Sequence, residues 1–269
     1  MSPDPGRRVS STKLSIDDVR DHYDGLSFGE FSYGDRRSGF YPLVDDFVAL
    51  TPAGARVCDV GCGAGFWLED LSRRGIRKEQ LLGIDLAPDN VRRAQARGFR
   101  AETGNVLNLD MPAASFDATF CAGVIHHTPD PQQALRELAR ITKPNGHIYL
   151  GVYNKWHPYF WFVHKATAPL RTLHWRGWRR VSDAGYFLWK LAVQPVSFVV
   201  FGRALDRQTC RALYMDQVLT PYAFLYSRGD LTRQADAAGL QVVKTGYALR
   251  SLMIEAILRP RAVAKVEGP

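Results

Sequence analysis

A glycine-rich string between a short apolar run and a helix-forming stretch constrains the fold of this chain more than any other feature. Residues 57–65 read V-C-D-V-G-C-G-A-G, so three glycines stand at alternate positions. Residues 56–60 predict a short buried strand, and residues 66–74 predict the helix that follows it. Alternating glycines let the backbone turn tightly and approach a ligand closely. The string therefore predicts a binding loop for a nucleotide-like ligand at the end of a first strand.

The spacing of this loop differs from the usual dinucleotide signature. That signature is G-x-G-x-x-G, whereas this chain has G-x-G-x-G with an acid, Asp59, two residues before the first glycine. A carboxylate there would repel a pyrophosphate and favour a ligand that carries an amino group.

The pattern downstream predicts an alternation of strands and helices. Residues 81–85 form a second apolar run that ends in Asp85, whose carboxylate at a strand tip can accept hydrogen bonds from both hydroxyls of a ribose. The remaining predicted elements of this part are strands at 99–103, 118–123 and 147–152, a helix at 131–142 and a turn at 143–146.

This order of motifs resembles the class I S-adenosylmethionine-dependent methyltransferases, in particular the small-molecule branch with ubiquinone- and sterol-type enzymes. The resemblance is close over residues 44–153 and looser elsewhere. It implies an α/β fold with a Rossmann-like, seven-stranded, mostly parallel sheet of order 3-2-1-4-5-7-6, a helical insertion after the fifth strand, and S-adenosyl-L-methionine as the cofactor. The cofactor-binding residues that it implies are Asp59, Gly61, Cys62, Gly63, Gly65, Asp85, Leu86, Asn105, Val106 and Ala122.

One of these positions departs from the family pattern. Asn105 stands where the family often has an aspartate. The amide oxygen of asparagine can still accept a hydrogen bond from an adenine amino group, although the negative charge is lost.

The chain divides into four predicted parts. Residues 1–14 are polar and predict a disordered leader, and residues 15–153 predict N-terminal lid helices and the cofactor-binding core. Residues 154–226 predict a helical, aromatic-rich acceptor or cap insertion, and residues 227–269 a last helix and two antiparallel strands that complete the core.

Local patterns place the elements outside the central sheet. A capping box at Ser15 predicts a helix through Tyr23, and the glycine-rich stretch 25–39 predicts a lid over the donor or a segment packed on the core. The other predicted elements are a helix at 42–50 with Leu43, Phe47 and Leu50 on one face, a helix at 227–238, and strands at 240–246 and 247–258.

The positive charge is concentrated in the second half of the chain. Residues 1–150 carry 18 Lys and Arg against 20 Asp and Glu, whereas residues 151–269 carry 17 against 7. Such a basic half can attract nucleic acid, an anionic membrane or a negatively charged substrate, or it can be an ordinary solvated surface.

The four cysteines have neither C-x-x-C nor zinc spacing, which predicts reduced thiols, no metal site and a cytoplasmic protein.

The predicted insertion is rich in tryptophan, with five of the six in residues 154–190. Because ligands of open α/β sheets bind at the carboxyl ends of the strands, an insertion after the fifth strand can cover the site. We therefore expect an apolar or aromatic acceptor, bound in part by Trp156 and Trp161. The alternatives are that these aromatics pack the insertion onto the core, that residues 175–180 contact a lipid headgroup region, or, as the weakest, that they contact RNA. Residues 184–201 are apolar, but Lys190 and Pro195 make them a poor membrane span.

Methyl transfer from a sulfonium requires above all that the nucleophile be held in line with the methyl group. A general base is needed only when the nucleophile arrives protonated. His127 and His126 follow the fourth predicted strand and are the candidate catalytic residues, and His127 aligns better with the histidine usual in the family. Weaker candidates are Tyr23, Tyr153 and Asp216.

The predicted function is methyl transfer to O, C or N of a hydrophobic or aromatic small molecule, for example in secondary metabolism. One alternative is a lipid or isoprenoid (quinone-type) methyltransferase at a membrane surface. Another is a protein that binds S-adenosylmethionine without catalysis. The sequence leaves open the identity of the acceptor, the methylated atom and the oligomeric state.

Overall fold

The structure, a computed structural model, describes residues 14–24, 26, 40–202 and 204–261. Most of the predicted leader (1–13) and of the glycine-rich stretch (25 and 27–39) lies outside the described residues. The helices are α1 (Ile16–Tyr23), α2 (Pro42–Leu50), α3 (Phe66–Arg73), α4 (Pro88–Ala96), α5 (Pro131–Ile141), α6 (Pro158–Ala166), α7 (Ala168–Trp175), α8 (Arg179–Phe201), α9 (Arg207–Gln217) and α10 (Arg228–Ala237). The strands are β1 (Val57–Val60), β2 (Leu81–Asp85), β3 (Arg100–Thr103), β4 (Phe116–Ala122), β5 (Thr142–Tyr153), β6 (Leu240–Ala248) and β7 (Met253–Pro260).

The strands form one seven-stranded sheet in the order β3-β2-β1-β4-β5-β7-β6, which confirms the predicted topology. The pairs among β1 to β5 are parallel, and β7 runs antiparallel to both β5 and β6. Helical crossovers bring the carboxyl ends of β1, β2 and β4 to the same edge, where open α/β sheets bind ligands.

The fifth strand begins earlier than its sequence pattern suggests. Residues 143–146, predicted as a turn, lie within β5 at an irregularity where the register steps from Phe116↔Thr142 to Ala118↔His147. Gly146 is required there, because a Cβ atom at that position would lie 2.5 Å from the carbonyl oxygen of Asp117. The proline-glycine step therefore produces a bulge against β4 instead of a separate turn.

The last hairpin also turns at a different place from the prediction. Residues 247 and 248 belong to β6, and residues 249–252 form the turn before β7. Leu249, Arg250 and Ser251 adopt the left-handed conformation, with φ of 48°, 54° and 72°. None of them is a glycine, an asparagine or an aspartate, the residues that favour this conformation, so local sequence gives no turn pattern here.

Two apolar clusters cover the two faces of the sheet. On one face α2 packs against the strands through Leu43, Val44 and Phe47. Leu50, predicted on the same face, is instead 41 % exposed at the end of α2, where the helix has passed the edge of the cluster. On the other face α5 and α10 contribute apolar residues, and Ser227 is the N-cap of α10, where it forms a capping box with Asp230.

Helices α6 to α9 follow β5 and precede α10 in the chain. They have an apolar cluster of their own, which includes Val163, Trp189, Val193 and Tyr214. The N-terminal helix α1 begins with the predicted capping box at Ser15. It contacts α9 through His22, whose Nε2 lies 3.1 Å from the carbonyl oxygen of Met215. No helix in the described ranges is long and apolar enough to cross a membrane.

Glu255 on β7 is a buried carboxyl group within the sheet. It accepts hydrogen bonds from the Tyr149 hydroxyl and, at 3.3 Å, from the backbone N–H of Leu43. Burial raises the pKa of Glu255 from 4.5 to about 7. The folded state therefore binds this proton more tightly than the unfolded state, and stability is lost as the pH rises from 4.5 through about 7.

We expect Glu255→Gln to remove the loss of stability that accompanies the rise in pH. Above pH 7 the variant should gain a free energy of unfolding on the order of 2–3 kcal/mol over the wild type, since the buried charge is absent. Urea denaturation at pH 5 and pH 8 measures the difference. The exposed Glu79→Gln is the matched control, and equal pH profiles for the wild type and Glu255→Gln would contradict the assignment.

Candidate active site

A cavity of about 570 Å³ begins at the carboxyl ends of β1, β2 and β4 and extends to helices α1, α8 and α9. Its lining is mostly apolar. At the end near the sheet the lining includes Gly61, Cys62, Gly63, Asp85, Leu86, Asn105, Val106 and Ala122. At the far end it includes Val19, Tyr23, His127, Tyr153, Phe160, Val193, Leu205, Leu213 and Asp216.

The glycine loop is folded over the end of β2. The backbone N–H groups of Gly61 and Cys62 donate to the carbonyl of Ile84 at 2.7 and 3.0 Å. Gly61 adopts a φ of +77°, and a Cβ atom there would lie 2.2 Å from the Val124 side chain. Gly63 has a φ of +53°, but a Cβ atom there would meet no atom within 4 Å. Packing against Val124 therefore excludes a side chain at position 61, whereas Gly63 borders open space in the cavity.

Asp85 links this loop to the next helix. Its Oδ2 accepts the N–H of Gly63 at 2.8 Å, and its Oδ1 accepts the N–H of Ala87 at 2.9 Å and the Asn90 amide at 3.2 Å. Burial raises the pKa of Asp85, while the three hydrogen bonds lower the pKa by a smaller amount, so the net shift is upward. The carboxylate lines the cavity with a lone pair of Oδ2 still available, which suits a ribose hydroxyl.

We expect Asp85→Ala to weaken the binding of S-adenosylmethionine by about 1.5–3 kcal/mol, the free energy of a hydrogen bond to a charged group. Loss of the bond to Gly63 adds to the effect, because it frees the loop. Isothermal titration calorimetry measures the change, with the exposed Asp110→Ala as the control. Unchanged affinity in Asp85→Ala would mean that this carboxylate does not bind the donor.

The other predicted cofactor-binding residues differ in their access to the cavity. Asn105 lines it, but its amide oxygen accepts the N–H of Leu107 at 3.0 Å, so the oxygen assigned to adenine is already engaged locally. Asp59 is 1 % exposed and, like Gly65, is outside the cavity lining. Gly65 has a φ of +82° and is the N-cap of α3, so it shapes the loop. The positions of Asp59 and Gly65 do not support direct contact with a cofactor.

A polar group of four side chains lies at the far end of the cavity, in surroundings that are otherwise apolar. Asp216 accepts hydrogen bonds from the hydroxyls of Tyr153, at 2.7 Å, and Tyr23, at 3.1 Å. The Nε2 atom of His127 lies 3.5 Å from Oδ1 of Asp216. Burial raises the pKa of both tyrosines well above the usual value, so they remain hydroxyl donors to Asp216.

The other ring nitrogen of His127 fixes the tautomer. Nδ1 lies 2.8 Å from the carbonyl oxygen of Tyr222, which can only accept a hydrogen bond, and 3.1 Å from the hydroxyl of Thr220. Nδ1 therefore carries the hydrogen of the neutral ring, and the lone pair is on Nε2, which is buried and has no hydrogen-bond partner among the described residues.

His126 occupies a different environment from its neighbour. It is fully buried, is outside the cavity lining and has no hydrogen-bond partner for either ring nitrogen among the described residues. Its ring packs 4.0 Å from that of Tyr153, and burial lowers the pKa of His126 well below the usual value. His126 therefore has no access to a ligand in the cavity, and His127 remains the candidate catalytic histidine.

The two tryptophans predicted to bind the acceptor lie elsewhere. Trp156 is 71 % exposed and Trp161 is 55 % exposed, and neither lines the cavity. Their positions do not support contact with an acceptor, because α6 presents Phe160 to the cavity and Trp161 to solvent.

Several cavity residues carried no recognisable sequence pattern. Leu213 lies on α9, and Leu249, Arg250 and Leu252 lie in the turn between β6 and β7. For Leu213 the only indication in the sequence was a general one, namely that an apolar residue on a helix usually packs against a buried surface.

The comparison with protein families assigns residues 58–150 to a family described as "Methyltransferase domain". The ubiquinone biosynthesis O-methyltransferase of Xanthomonas oryzae pv. oryzae (strain PXO99A) is 38 % identical over 123 residues, which are 42 % of this chain and 50 % of that protein. The same-named protein of Xanthomonas campestris pv. campestris (strain B100) is 36 % identical over 124 residues, again 42 % and 50 %. The chain thus spans about half the length of the curated relatives that it matches.

Solved structures of low identity share the fold over most of the chain. Magnesium protoporphyrin IX methyltransferase from Synechocystis PCC 6803, solved with bound SAH, has a TM-score of 0.55 at 17 % identity and covers 91 % of this chain and 100 % of that one. A SAM-dependent methyltransferase from Aquifex aeolicus has a TM-score of 0.51 at 16 % identity, with coverage of 91 % and 98 %. Residues 58–150 therefore form a methyltransferase domain, in a chain with the fold of the class I S-adenosylmethionine-dependent methyltransferases.

Proposed function

We propose that this protein transfers a methyl group from S-adenosylmethionine to a hydroxyl oxygen of an apolar or aromatic small molecule. The observation that carries the proposal is the pair His127 and Asp216, which faces the same cavity as the glycine loop. The relatives named ubiquinone biosynthesis O-methyltransferase support the choice of oxygen.

The residues at the sheet end of the cavity fit the donor. The open space beside Gly63 accepts a ligand against the backbone, and Asp85 offers a carboxylate oxygen to the ribose. When bound, S-adenosylmethionine supplies an electrophilic methyl group on a positively charged sulfur. Leu86, Val106 and Ala122 offer apolar contacts for the remainder of the donor.

His127 and Asp216 suit an acceptor that arrives with a proton. Nε2 lies 3.5 Å from Oδ1 of Asp216. Oδ1 already accepts the Tyr23 hydroxyl, whereas Nε2 lacks a donor among the described residues. A hydroxyl group meets this need and donates its hydrogen to Nε2. As the oxygen becomes nucleophilic, its proton moves to Nε2, and the carboxylate of Asp216 stabilises the resulting imidazolium.

The shape of the far end favours an apolar acceptor skeleton. The side chains of Phe160, Val193, Leu205 and Leu213 line this end, so burial of a hydrocarbon or aromatic ring there contributes to binding. The cytoplasmic location stays a prediction from the sequence.

Release of S-adenosylhomocysteine tests the proposed reaction. We expect turnover with an apolar catechol or phenol and none with the fully methylated ether of the same compound. An amine of equal size distinguishes transfer to nitrogen from transfer to oxygen. Donor binding by calorimetry without turnover on a panel of apolar phenols would favour the non-catalytic alternative.

A further inference from the structure

Helix α8 has an exposed face that is almost entirely apolar. Phe187, Leu188, Leu191 and Phe198 are 65 %, 70 %, 61 % and 58 % exposed. Their spacing puts them on one side of an α-helix, and the helix continues this side with other exposed apolar residues, Val181, Ala184, Ala192 and Pro195. Isolated exposed leucines are common on soluble proteins, but a continuous stripe of large apolar side chains indicates an interaction surface.

The opposite side of α8 belongs to the candidate active site. Trp189 and Val193 are buried in the cluster shared with α6 and α9, and Val193 and Ser197 line the cavity. One helix therefore separates the far end of the cavity from the exposed apolar stripe.

Positive charge surrounds the start of this stripe. Arg176, Arg179 and Arg180 are exposed, and none of them forms an ion pair with an acidic side chain in the part of the chain that the structure describes. Trp178, which lies between Arg176 and Arg179 in the chain, is 62 % exposed. Over residues 154–226 the chain has ten Lys and Arg against three Asp and Glu, so the surface is complementary to an anionic partner.

We propose that the exposed face of α8 docks on an anionic lipid surface. An amphipathic helix of this type lies in the interface, with leucine and phenylalanine among the acyl chains and tryptophan and arginine at the headgroups. A protein partner would need a matching apolar groove, whereas a bilayer accommodates a convex stripe directly. The inference concerns where the protein works and does not depend on the proposed reaction.

Flotation with lipid vesicles tests the proposal without any turnover. The full chain is mixed with phosphatidylcholine vesicles that contain either no phosphatidylglycerol or one third of it. We expect binding to the anionic vesicles and little to the neutral ones. Leu188→Gln combined with Leu191→Gln should lower the partition coefficient by about tenfold or more, and Arg179→Gln combined with Arg180→Gln by about fivefold for each arginine.

Matched controls separate docking from unfolding and from self-association. Leu50→Gln replaces an exposed helical leucine outside the stripe and should bind vesicles like the wild type. Circular dichroism and donor binding should be the same for all variants. Absence of vesicle binding by the wild type overturns the proposal, and so does equal binding to neutral and anionic vesicles. A wild-type dimer that Leu188→Gln with Leu191→Gln converts to a monomer also overturns it, because a second copy would then cover the face.

Discussion

His127→Asn is expected to lower the turnover number by about 10²–10⁴, the contribution of a positioned general base. Asparagine can keep the hydrogen bond to the Tyr222 carbonyl but has no atom at the position of Nε2, so the change removes the base and little else. Donor affinity should be largely kept. Single-turnover kinetics with a phenolic acceptor measures the effect.

The pH dependence of this variant separates a base from a structural histidine. A phenol that is already ionised needs no base, so the deficit of His127→Asn should narrow as the pH approaches about 10. His147→Asn is a suitable control, since His147 contacts Arg259 outside the cavity lining. A deficit that stays constant with pH would contradict the role of His127 as a base.

Gly63→Val is expected to reduce the affinity for S-adenosylmethionine by about 100-fold or more while the protein remains folded. The valine side chain would enter the open space beside the loop, where the donor is proposed to bind. A side chain in the left-handed conformation also costs roughly 1–2 kcal/mol of stability. Calorimetry for the donor and urea denaturation of the same samples measure the two effects separately.

A matched glycine makes this experiment decisive. Gly54 also has a positive φ, of +85°, with nothing within 4 Å of its Cβ position, but it lies outside the cavity lining. Gly54→Val should therefore lose similar stability and bind the donor normally. If Gly63→Val also bound the donor normally, the donor would not occupy the space beside the loop.

Local pattern was sufficient for the individual strands and helices of the core and for the glycine loop at the end of β1. The glycines of residues 61–65, the acid at the end of β2 and the alternation of strands and helices each depend on neighbours within a few residues. The apolar run that ends in an acid predicted Asp85 at the tip of β2, where it lines the cavity. The strand order was implied by the resemblance to the class I S-adenosylmethionine-dependent methyltransferases, and the structure confirms it. Local pattern failed at the turn of residues 249–252, since neighbouring strands hold those residues in a conformation that they do not favour alone.

The sequence by itself determined the class of fold and the residues beside the glycine loop, because that information is local. Only the tertiary structure decided which side chains reach the far end of the cavity. His127 meets the carbonyl of Tyr222 across 95 positions of the chain, and Tyr23 meets Asp216 across 193. His126 and His127 are adjacent, yet one is sealed in the core and the other faces the cavity. His127 lies beside Tyr23 of α1 and Asp216 of α9, and no spacing in the sequence records how those helices pack.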